Sequence, residues 1–407
     1  MRARRVLISG ASVSGPVLAY WLARYGFEVT VVERAPEPRR TGGGHAVDLF
    51  RPAMEISEAM GVLPRLEERV TGTNRLRIHR PGGRRPVDVD LAKVYGAASD
   101  RHVEIMRDDL GEIYYDATRH DVEYVFGDSI TAIGDDGDVE FERAAPRRFD
   151  LVVGADGLHS NVRRLTFGEE AGRTTFLGLY LCVLSLPREV AQEGTFTLHL
   201  EPGRMAGWYG AAHLGDARAG FFFRRDTEVP IHHRDVAAQK DLVRATFAGM
   251  SPEVDAVLAG LDDTPSFYFD SITQLELGSW SRGRVTLVGD AGYCPGPAVG
   301  GSTSLAVLGA YVLAGELAEA GGDHTRAFAA YERELADPVR RSRAFARGAA
   351  RGIVPASGLG VWGLVNGARV VSALPAGVSR SLARLNSGGV RMHDSMRVPR
   401  YAIGVPR

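Results

Sequence analysis

The amino-acid sequence predicts an α/β protein: a Rossmann-type nucleotide-binding domain, interrupted by an inserted β-sheet domain and followed by a C-terminal helical segment. Three observations support this fold class. A β-α-β unit with a glycine-containing turn opens the chain, two later strands run into turns that contain aspartate and glycine, and apolar runs of β type lie between these motifs. A strand, a tight glycine turn and a helix are the parts from which such domains are built.

The size and charge of the chain favour a small-molecule partner. Its 407 residues are 44% hydrophobic and 24% charged, which is enough for two packed domains. The formal net charge of -1 lacks the basic excess of a nucleic-acid-binding protein. We therefore expect no nucleic-acid partner.

The two cysteines, Cys182 and Cys294, form neither a disulfide framework nor a metal-ligand set. We expect no metal site and a reducing compartment, the cytoplasm. The basic start of the chain superficially resembles a secretory signal, but the apolar run after it is short and leads into a glycine turn. A buried first strand is the better interpretation.

The first β-α-β unit predicts a phosphate-binding turn. Strands are expected at 6–9 and 28–33, with a helix at 16–25 between them. The turn approximates G-x-G-x-x-G with a serine at the second glycine, and the acid after the second strand can accept hydrogen bonds from a ribose. The alternative is a plain structural turn, and the motif alone leaves the dinucleotide open. The predicted dinucleotide contacts are Gly10, Ser12, Val13, Ser14, Gly15, Glu33 and Arg34.

Two further strand–turn–helix joints follow. Residues 149–163 form an apolar strand that runs into an Asp156–Gly157 turn, and residues 283–297 repeat the plan with Asp290 at the strand end. A turn at residues 300–303 then opens a long helix predicted through Leu317. Singly, each joint is common in α/β sheets. Three joints in this order are more specific.

In the order and separation of these three motifs the chain resembles the FAD-dependent aromatic hydroxylases, the group A flavoprotein monooxygenases that include p-hydroxybenzoate hydroxylase and the tetracycline-inactivating monooxygenases. The resemblance covers about residues 1–335 and implies FAD as the bound dinucleotide. Asp156 and Asp290 would contact it, Asp290 through the ribityl hydroxyls. A helix that starts near Gly301 would aim its positive end at the flavin pyrimidine. Backbone beside the ring would come from Pro297, Gly300, Gly301 and Ser302.

Smaller matches and departures accompany this resemblance. Residues 104–110 resemble the family's Arg-x-x-Leu segment, whose arginine, Arg107 here, contacts the cofactor phosphates and ribityl chain; a surface helix start is the alternative. Residues 42–49 resemble a glycine segment beside the flavin. The chain departs from the family at Tyr293, where G-D-A-A-H has histidine, and at residues 300–304, which replace G-Q-G-x-N.

The resemblance implies an NADPH- or NADH-dependent monooxygenase that hydroxylates an aromatic or polyketide-like molecule with dioxygen, through a flavin hydroperoxide. Since the chain has one dinucleotide fingerprint, the nicotinamide would bind transiently. Baeyer–Villiger oxygenation and flavin-dependent dehydrogenation use the same scaffold and stay open, as does a non-catalytic protein that sequesters flavin or ligand. A flavin halogenase is disfavoured because the sequence has no Trp-x-Trp-x-Ile-Pro segment.

The predicted domains are discontinuous. The chain leaves the FAD-binding domain twice to build the substrate domain and then ends in a helical cap. The FAD-binding domain is assigned residues 1–70, 98–168 and 272–340, the substrate-binding sheet residues 71–97 and 169–271, and the cap residues 341–407.

The inserted domain is predicted to be a sheet over the flavin, because β-type runs occur at 195–200, 205–209 and 220–224. Trp208 and Phe221 are candidates to line a pocket for a flat substrate, and the alternative is that they form the domain core. No catalytic acid or base is assigned. Candidate polar contacts in the pocket are three histidines: His45, His199 and His213.

Beyond Pro338 the composition changes. Residues 338–407 hold twelve arginines and a single acid, Asp394. The apolar stretch 353–374 contains proline, asparagine, arginine and four glycines, which disfavours a membrane-spanning helix. A helical cap on the substrate domain or on a second subunit is preferred to membrane association, and the expected state is monomer or homodimer.

Overall fold

The computed structural model describes residues 5–38, 44–80, 85–91, 101–168, 172–211, 213–232, 234–297, 301–373 and 388–402. Its strands are β1 (Arg5–Ser9), β2 (Glu28–Glu33), β3 (Ala46–Leu49), β4 (Arg75–His79), β5 (Val87–Asp90), β6 (Val103–Met106), β7 (Glu123–Phe126), β8 (Ile130–Ile133), β9 (Asp138–Phe141), β10 (Arg147–Arg148), β11 (Leu151–Gly154), β12 (Arg173–Pro187), β13 (Thr195–Glu201), β14 (Arg204–Tyr209), β15 (Asp216–Arg224), β16 (Phe267–Glu276), β17 (Ser281–Arg282) and β18 (Val285–Leu287). Its helices are α1 (Ser14–Arg24), α2 (Arg51–Ala59), α3 (Leu63–Glu68), α4 (Arg107–Asp116), α5 (Asn161–Phe167), α6 (Val236–Phe247), α7 (Pro252–Ala259), α8 (Asp290–Tyr293), α9 (Ser302–Glu319), α10 (His324–Ile353), α11 (Gly358–Ala373) and α12 (Gly388–Asp394).

A six-stranded sheet with the order β17-β18-β11-β1-β2-β7 organises the first domain. The strands from β18 to β7 run parallel, and β17 pairs with β18 in the antiparallel direction. Strands β11 and β18 are entirely buried, as expected for a parallel sheet that is covered on both faces. Since parallel strands end at one edge, the loops after β1, β2 and β11 meet there.

The predicted β-α-β unit is confirmed. Strands β1 and β2 pair in parallel, and α1 connects them. Helix α1 begins at Ser14, two residues before the predicted start at Pro16. Helix α9 is likewise present and ends at Glu319, beyond the predicted Leu317.

The inserted domain is a seven-stranded sheet with the order β16-β12-β15-β14-β13-β4-β5. The three predicted strands are β13, β14 and β15. Each face of the sheet carries its own apolar cluster. One cluster lies beneath α6 and α7, and the other contains residues of α10 and α11. The α/β fold class with an inserted sheet is therefore confirmed.

The described part of the C-terminal segment is mainly helical, as predicted, and it contacts both domains. Helix α10 continues through Pro338; Tyr331 in its first half lies in the core of the first domain, while Ala350 in its second half packs against the inserted sheet. The chain then returns, because the Asp394 carboxylate accepts a hydrogen bond from the Arg51 backbone N–H at 3.0 Å and Tyr401 packs on Gly315. Among the described residues, no helix is long and apolar enough to cross a membrane.

Candidate cofactor and substrate site

A cavity of about 160 Å³ lies at the carboxyl edge of the parallel sheet. The turn after β1, the end of β2 and the start of α4 form its walls, and the first residues of β16 bring the inserted sheet to its rim. The residues that line it are Ala11, Ser12, Glu33, Pro38, Gly44, His45, Arg107, Asp108, Gly111, Glu112, Tyr115, Phe126, Phe267 and Tyr268.

Backbone sterics define the turn after β1. Gly10 has φ = 108°, and a Cβ there would lie 2.6 Å from the carbonyl oxygen of Ala155. A Cβ at Gly15 would lie 1.9 Å from the carbonyl oxygen of Gly10. Within the described chain no side chain caps α1, which leaves its first backbone N–H groups available to an anion. Ser12 lines the cavity just before this helix, and Val13 and Ser14 are buried.

Glu33 stands at the end of β2 and faces the cavity. Its carboxylate accepts hydrogen bonds from the backbone N–H groups of Ala11 and Ala35, each at 2.9 Å. These bonds hold the carboxylate beside the glycine turn, where a ribose hydroxyl could reach it. The neighbouring Arg34 is exposed.

Arg107 is the first residue of α4 and lines the same cavity as Glu33. Its backbone N–H donates to the carbonyl oxygen of His45 at 3.1 Å, which fixes the two residues side by side. Burial, together with the Arg107 charge, lowers the pKa of His45 to about 4, against a smaller raising effect of Asp48. His45 is therefore a neutral imidazole next to a guanidinium cation.

The two aspartates of the later motifs have different surroundings. Asp156 caps α5: its carboxylate accepts hydrogen bonds from the Ser160 hydroxyl at 2.5 Å and from the backbone N–H groups of Asn161 and Val162 at 2.9 and 3.1 Å. Burial raises its pKa and these bonds oppose the rise. Asp156 thus shapes the turn after β11 from inside the protein.

Asp290 opens the short helix α8 after β18. Burial raises its pKa, and the positive charge of Arg107 opposes the rise, so the two side chains share one electrostatic environment. Pro297 is buried in the turn that follows, and Gly300 lies outside the described residues. Ser302 begins α9.

Gly301 shows a close approach that sequence reasoning missed. It has φ = 81° and precedes the first residue of α9. A Cβ there would lie 1.8 Å from the His393 ring of α12, and that ring stacks on Phe50 with centroids 5.1 Å apart. The C-terminal segment therefore reaches the glycine turn beside the predicted flavin position; only the family-like glycines hinted at a close contact.

Tyr293, the residue at which the chain departs from the family motif, has its side chain in the protein core. The Tyr293 ring is 1% exposed and lies 4.6 Å from Trp280, centroid to centroid. The Tyr331 hydroxyl lies 3.2 Å from the Tyr293 hydroxyl and donates to the Leu287 carbonyl oxygen at 2.9 Å. This substitution thus changes packing behind the cleft.

Trp208 and Phe221 both lie in the core of the inserted domain, on the sheet face beneath α6 and α7. Phe221 is 0% exposed and packs edge-on against Phe247 at 4.9 Å. Trp208 stacks on His199, whose pKa is lowered to about 4 by burial. The structure therefore favours the alternative interpretation of Trp208 and Phe221, in which they form the domain core and do not line a substrate pocket.

The opposite face of the same sheet points to the first domain. The Tyr209 hydroxyl accepts a hydrogen bond from the Ala46 N–H at 2.8 Å, and burial raises its pKa. Arg218, its cross-strand neighbour, is 3% exposed and pairs with Asp216. Tyr209 and Arg218 were not predicted as functional residues, although the period of two along each strand places them on the face opposite to Trp208 and Phe221.

Two more contacts fasten the sheet over the cleft. His213 lies 2.8 Å from the Asp109 carboxylate of α4. The Tyr268 hydroxyl donates to Asp270 at 3.2 Å, and its ring centroid is 6.1 Å from that of His45. Of the three candidate histidines, His45 lies in the cleft, His213 joins the two domains, and His199 lies away from the cleft in the sheet core.

This arrangement defines a class: a nucleotide-binding α/β domain whose cleft is covered by an inserted, largely antiparallel sheet. A family model described as "FAD binding domain" matches residues 3–257. The cradle of Gly10 and Gly15, with Glu33 and Arg107 around one cavity, fits a dinucleotide of that kind.

Relatives make the assignment more specific. A "Flavin-dependent monooxygenase" of Legionella longbeachae is 36% identical over 347 residues, which cover 84% of this chain and 87% of the relative. "Monooxygenase CTB7" of Cercospora beticola is 32% identical over 402 residues, with 91% and 92% covered. The crystal structure of tetracycline destructase Tet(51) superimposes with a TM-score of 0.82 at 30% identity, covering 98% of this chain and all of that one. The chain belongs to the FAD-dependent monooxygenases of the aromatic-hydroxylase type.

Proposed function

We propose that this monooxygenase takes its electrons from NADPH or NADH and hydroxylates an aromatic or polyketide-like molecule. The observation that carries the proposal is the convergence of the glycine turn, Glu33 and Arg107 on one cleft whose rim is completed by Phe267 and Tyr268 of the inserted sheet. The names of the relatives, which include a tetracycline destructase, support the substrate class. Both cysteines are free and buried, in keeping with the reducing cytoplasm.

In this proposal the first domain holds the cofactor through the residues predicted from sequence. The Gly10–Gly15 turn and the start of α1 take the pyrophosphate, Glu33 takes the ribose, and Arg107 and Asp290 take the phosphate and ribityl regions. Residues 301 and 302 place the positive end of α9 beside the ring. When bound, FAD supplies the two-electron redox chemistry that activates dioxygen.

The remaining residues enclose the reaction. Tyr209 and His213 fasten the inserted sheet to the first domain and thereby restrict water at the cleft. His45 stays neutral beside Arg107 and keeps hydrogen-bonding capacity without adding a second positive charge. The substrate would lie against the sheet face that carries Tyr209 and Arg218, because that face meets the first domain at Ala46, whereas the other face is covered by α6 and α7.

The test combines an absorbance spectrum with NADPH and NADH oxidation in air, with and without phenolic polycycles. The expected result is a bound-flavin spectrum, substrate-stimulated consumption of one nicotinamide and a product heavier by one oxygen atom. A dehydrogenated product would favour the dehydrogenase alternative, and an inserted ring oxygen would favour Baeyer–Villiger chemistry. Bound flavin without nicotinamide consumption on any ligand would favour the sequestering protein.

A further inference from the structure

Helix α11 presents an unusual outer surface. One of its faces packs into the inserted domain, where Val361 and Val365 are 7% and 1% exposed. Its opposite face is also apolar: Leu359 is 83%, Trp362 65% and Val370 59% exposed. Large apolar side chains grouped this way mark a contact surface. We call these three residues the α11 patch.

The chain segment that carries the α11 patch has charged residues of one sign. Residues 339–373, which include the second half of α10 and all of α11, contain six arginines and no acidic residue. Arg351 at the end of α10 and Arg369 on α11 are exposed. Strand β5, on which α11 packs, carries two acids, Asp88 and Asp90. Both are exposed and alternate along the strand with the buried Val87 and Val89. Since the buried pair packs with α11, these acids point to the far side of the sheet.

We propose that the α11 patch docks on an anionic lipid surface. An apolar helix face with tryptophan and leucine, bordered by arginines, is the combination that lies in the interfacial layer of a bilayer. Tryptophan favours the headgroup level, and each arginine near the surface adds attraction to anionic lipids. The helix lies on the bilayer in this proposal and does not span it.

Other occupants fit the patch less well. A second copy of the chain docked through the same face would bring two arginine-rich segments together, and like charges at an interface are costly. Three side chains on one helix also make a small area for a stable dimer. An acidic protein would satisfy the arginines but would not by itself account for an exposed apolar row.

The fluorescence of Trp362 offers a direct measurement. The other three tryptophans, Trp21, Trp208 and Trp280, are 3%, 5% and 7% exposed, so a change on lipid binding reports α11. With the full-length FAD-loaded protein, vesicles of equal parts phosphatidylcholine and phosphatidylglycerol should shift the emission to the blue and sediment the protein. Vesicles of phosphatidylcholine alone should bind it far more weakly, and added salt should release it.

Variants separate the two contributions. Leu359→Ser/Trp362→Ser should weaken the affinity for anionic vesicles, measured by sedimentation, by at least about 100-fold, because two exposed apolar anchors are lost. Arg351→Gln/Arg369→Gln should weaken it by roughly 25-fold. The matched controls Val190→Ser/Val236→Ser and Arg143→Gln/Arg148→Gln change exposed residues elsewhere and should bind as the unmodified protein does. All variants should retain the flavin spectrum and the thermal midpoint.

Several outcomes would overturn the proposal. Absence of binding to anionic vesicles, or unchanged binding by Leu359→Ser/Trp362→Ser, would exclude the lipid surface. Concentration-dependent dimers in sedimentation velocity that this variant abolishes, without vesicle binding, would assign the patch to a second copy. Binding to immobilised polyglutamate but not to vesicles would assign it to an acidic protein. The proposal does not depend on the substrate, so the oxygenation assay can fail while vesicle binding stands.

Discussion

The cofactor cleft and the inserted sheet are specified by their residues in different ways. In the cleft, backbone clearance decides: a Cβ at Gly10 or Gly15 would overlap a carbonyl oxygen, and the main chain forms the wall. In the sheet, the same alternating pattern produces two apolar faces, one beneath α6 and α7 and one towards α10 and α11. The comparison teaches that a steric requirement of the backbone identifies a site, whereas apolar alternation identifies a strand without identifying its functional face.

Gly15→Ala should produce the largest effect, because a Cβ 1.9 Å from the Gly10 carbonyl oxygen forces α1 away from β1. We expect the free energy of unfolding to fall by about 4 kcal/mol and FAD affinity to be lost. Urea unfolding and flavin fluorescence titration measure both. Gly348→Ala in α10 is the control, since nothing lies within 4 Å of its Cβ position; it should stabilise by up to about 1 kcal/mol. Similar results for the two variants would refute the steric argument.

Phe221→Ala tests the inserted sheet, the second of the two regions compared. Phe221 is fully buried against Phe247, so its truncation should cost about 3 kcal/mol in unfolding free energy. FAD affinity and the substrate KM of the folded fraction should change little, because the ring lies on the face away from the cleft. The contrasting variant is Tyr209→Phe, which removes the hydrogen bond to Ala46 and should alter steady-state kinetics with a smaller stability loss. A large KM change in Phe221→Ala would return it to the pocket.

Much of the first domain could be predicted from sequence, because steric requirements of the backbone leave recognisable motifs. The β-α-β unit, the three motif joints and the placement of Glu33 follow from local spacing and from the rule that parallel strands end at one edge. The prediction for Arg107 rested on the family resemblance alone. Which face of β14 and β15 meets the first domain could not be predicted, since Trp208 and Phe221 are as apolar as any pocket residue. The contact of His393 with Gly301 could not be predicted either, because it joins residues 92 positions apart through tertiary packing alone.

Glu33→Gln tests the cofactor cleft by a change that should have a smaller effect than Gly15→Ala. The amide retains one acceptor oxygen, so one of the two backbone bonds and the negative charge are lost. We expect FAD affinity to fall by about 30-fold, which corresponds to about 2 kcal/mol, measured by flavin fluorescence quenching. Glu37→Gln, an exposed residue after the same strand, serves as the control and should leave affinity unchanged. Equal affinities for both variants would remove Glu33 from the cofactor site.

The smallest expected effect is a change in the pKa of one histidine, His45, that leaves the pKa of His199 unaltered. Folded His45 and His199 both have a pKa of about 4, below the ordinary value of 6.5. The unfolded chain therefore binds more protons between these values, and stability decreases as the pH falls from about 6.5 to about 4. Arg107→Gln should raise the pKa of His45, whose low value depends partly on that charge, and leave His199 unchanged. Histidine NMR titrations measure both, and equal shifts would contradict a local effect of Arg107.

The return of the chain to the first domain has a consequence for the order of synthesis. The ring of His393 lies against Gly301, the Tyr311 hydroxyl donates to the Pro399 carbonyl oxygen at 3.0 Å, and the Tyr401 ring packs on Gly315. A domain whose first strand begins at Arg5 is therefore completed by residues that leave the ribosome almost four hundred positions later. The contacts that these last residues make with α9 and with the Gly301 turn therefore form only after most of the chain has been translated.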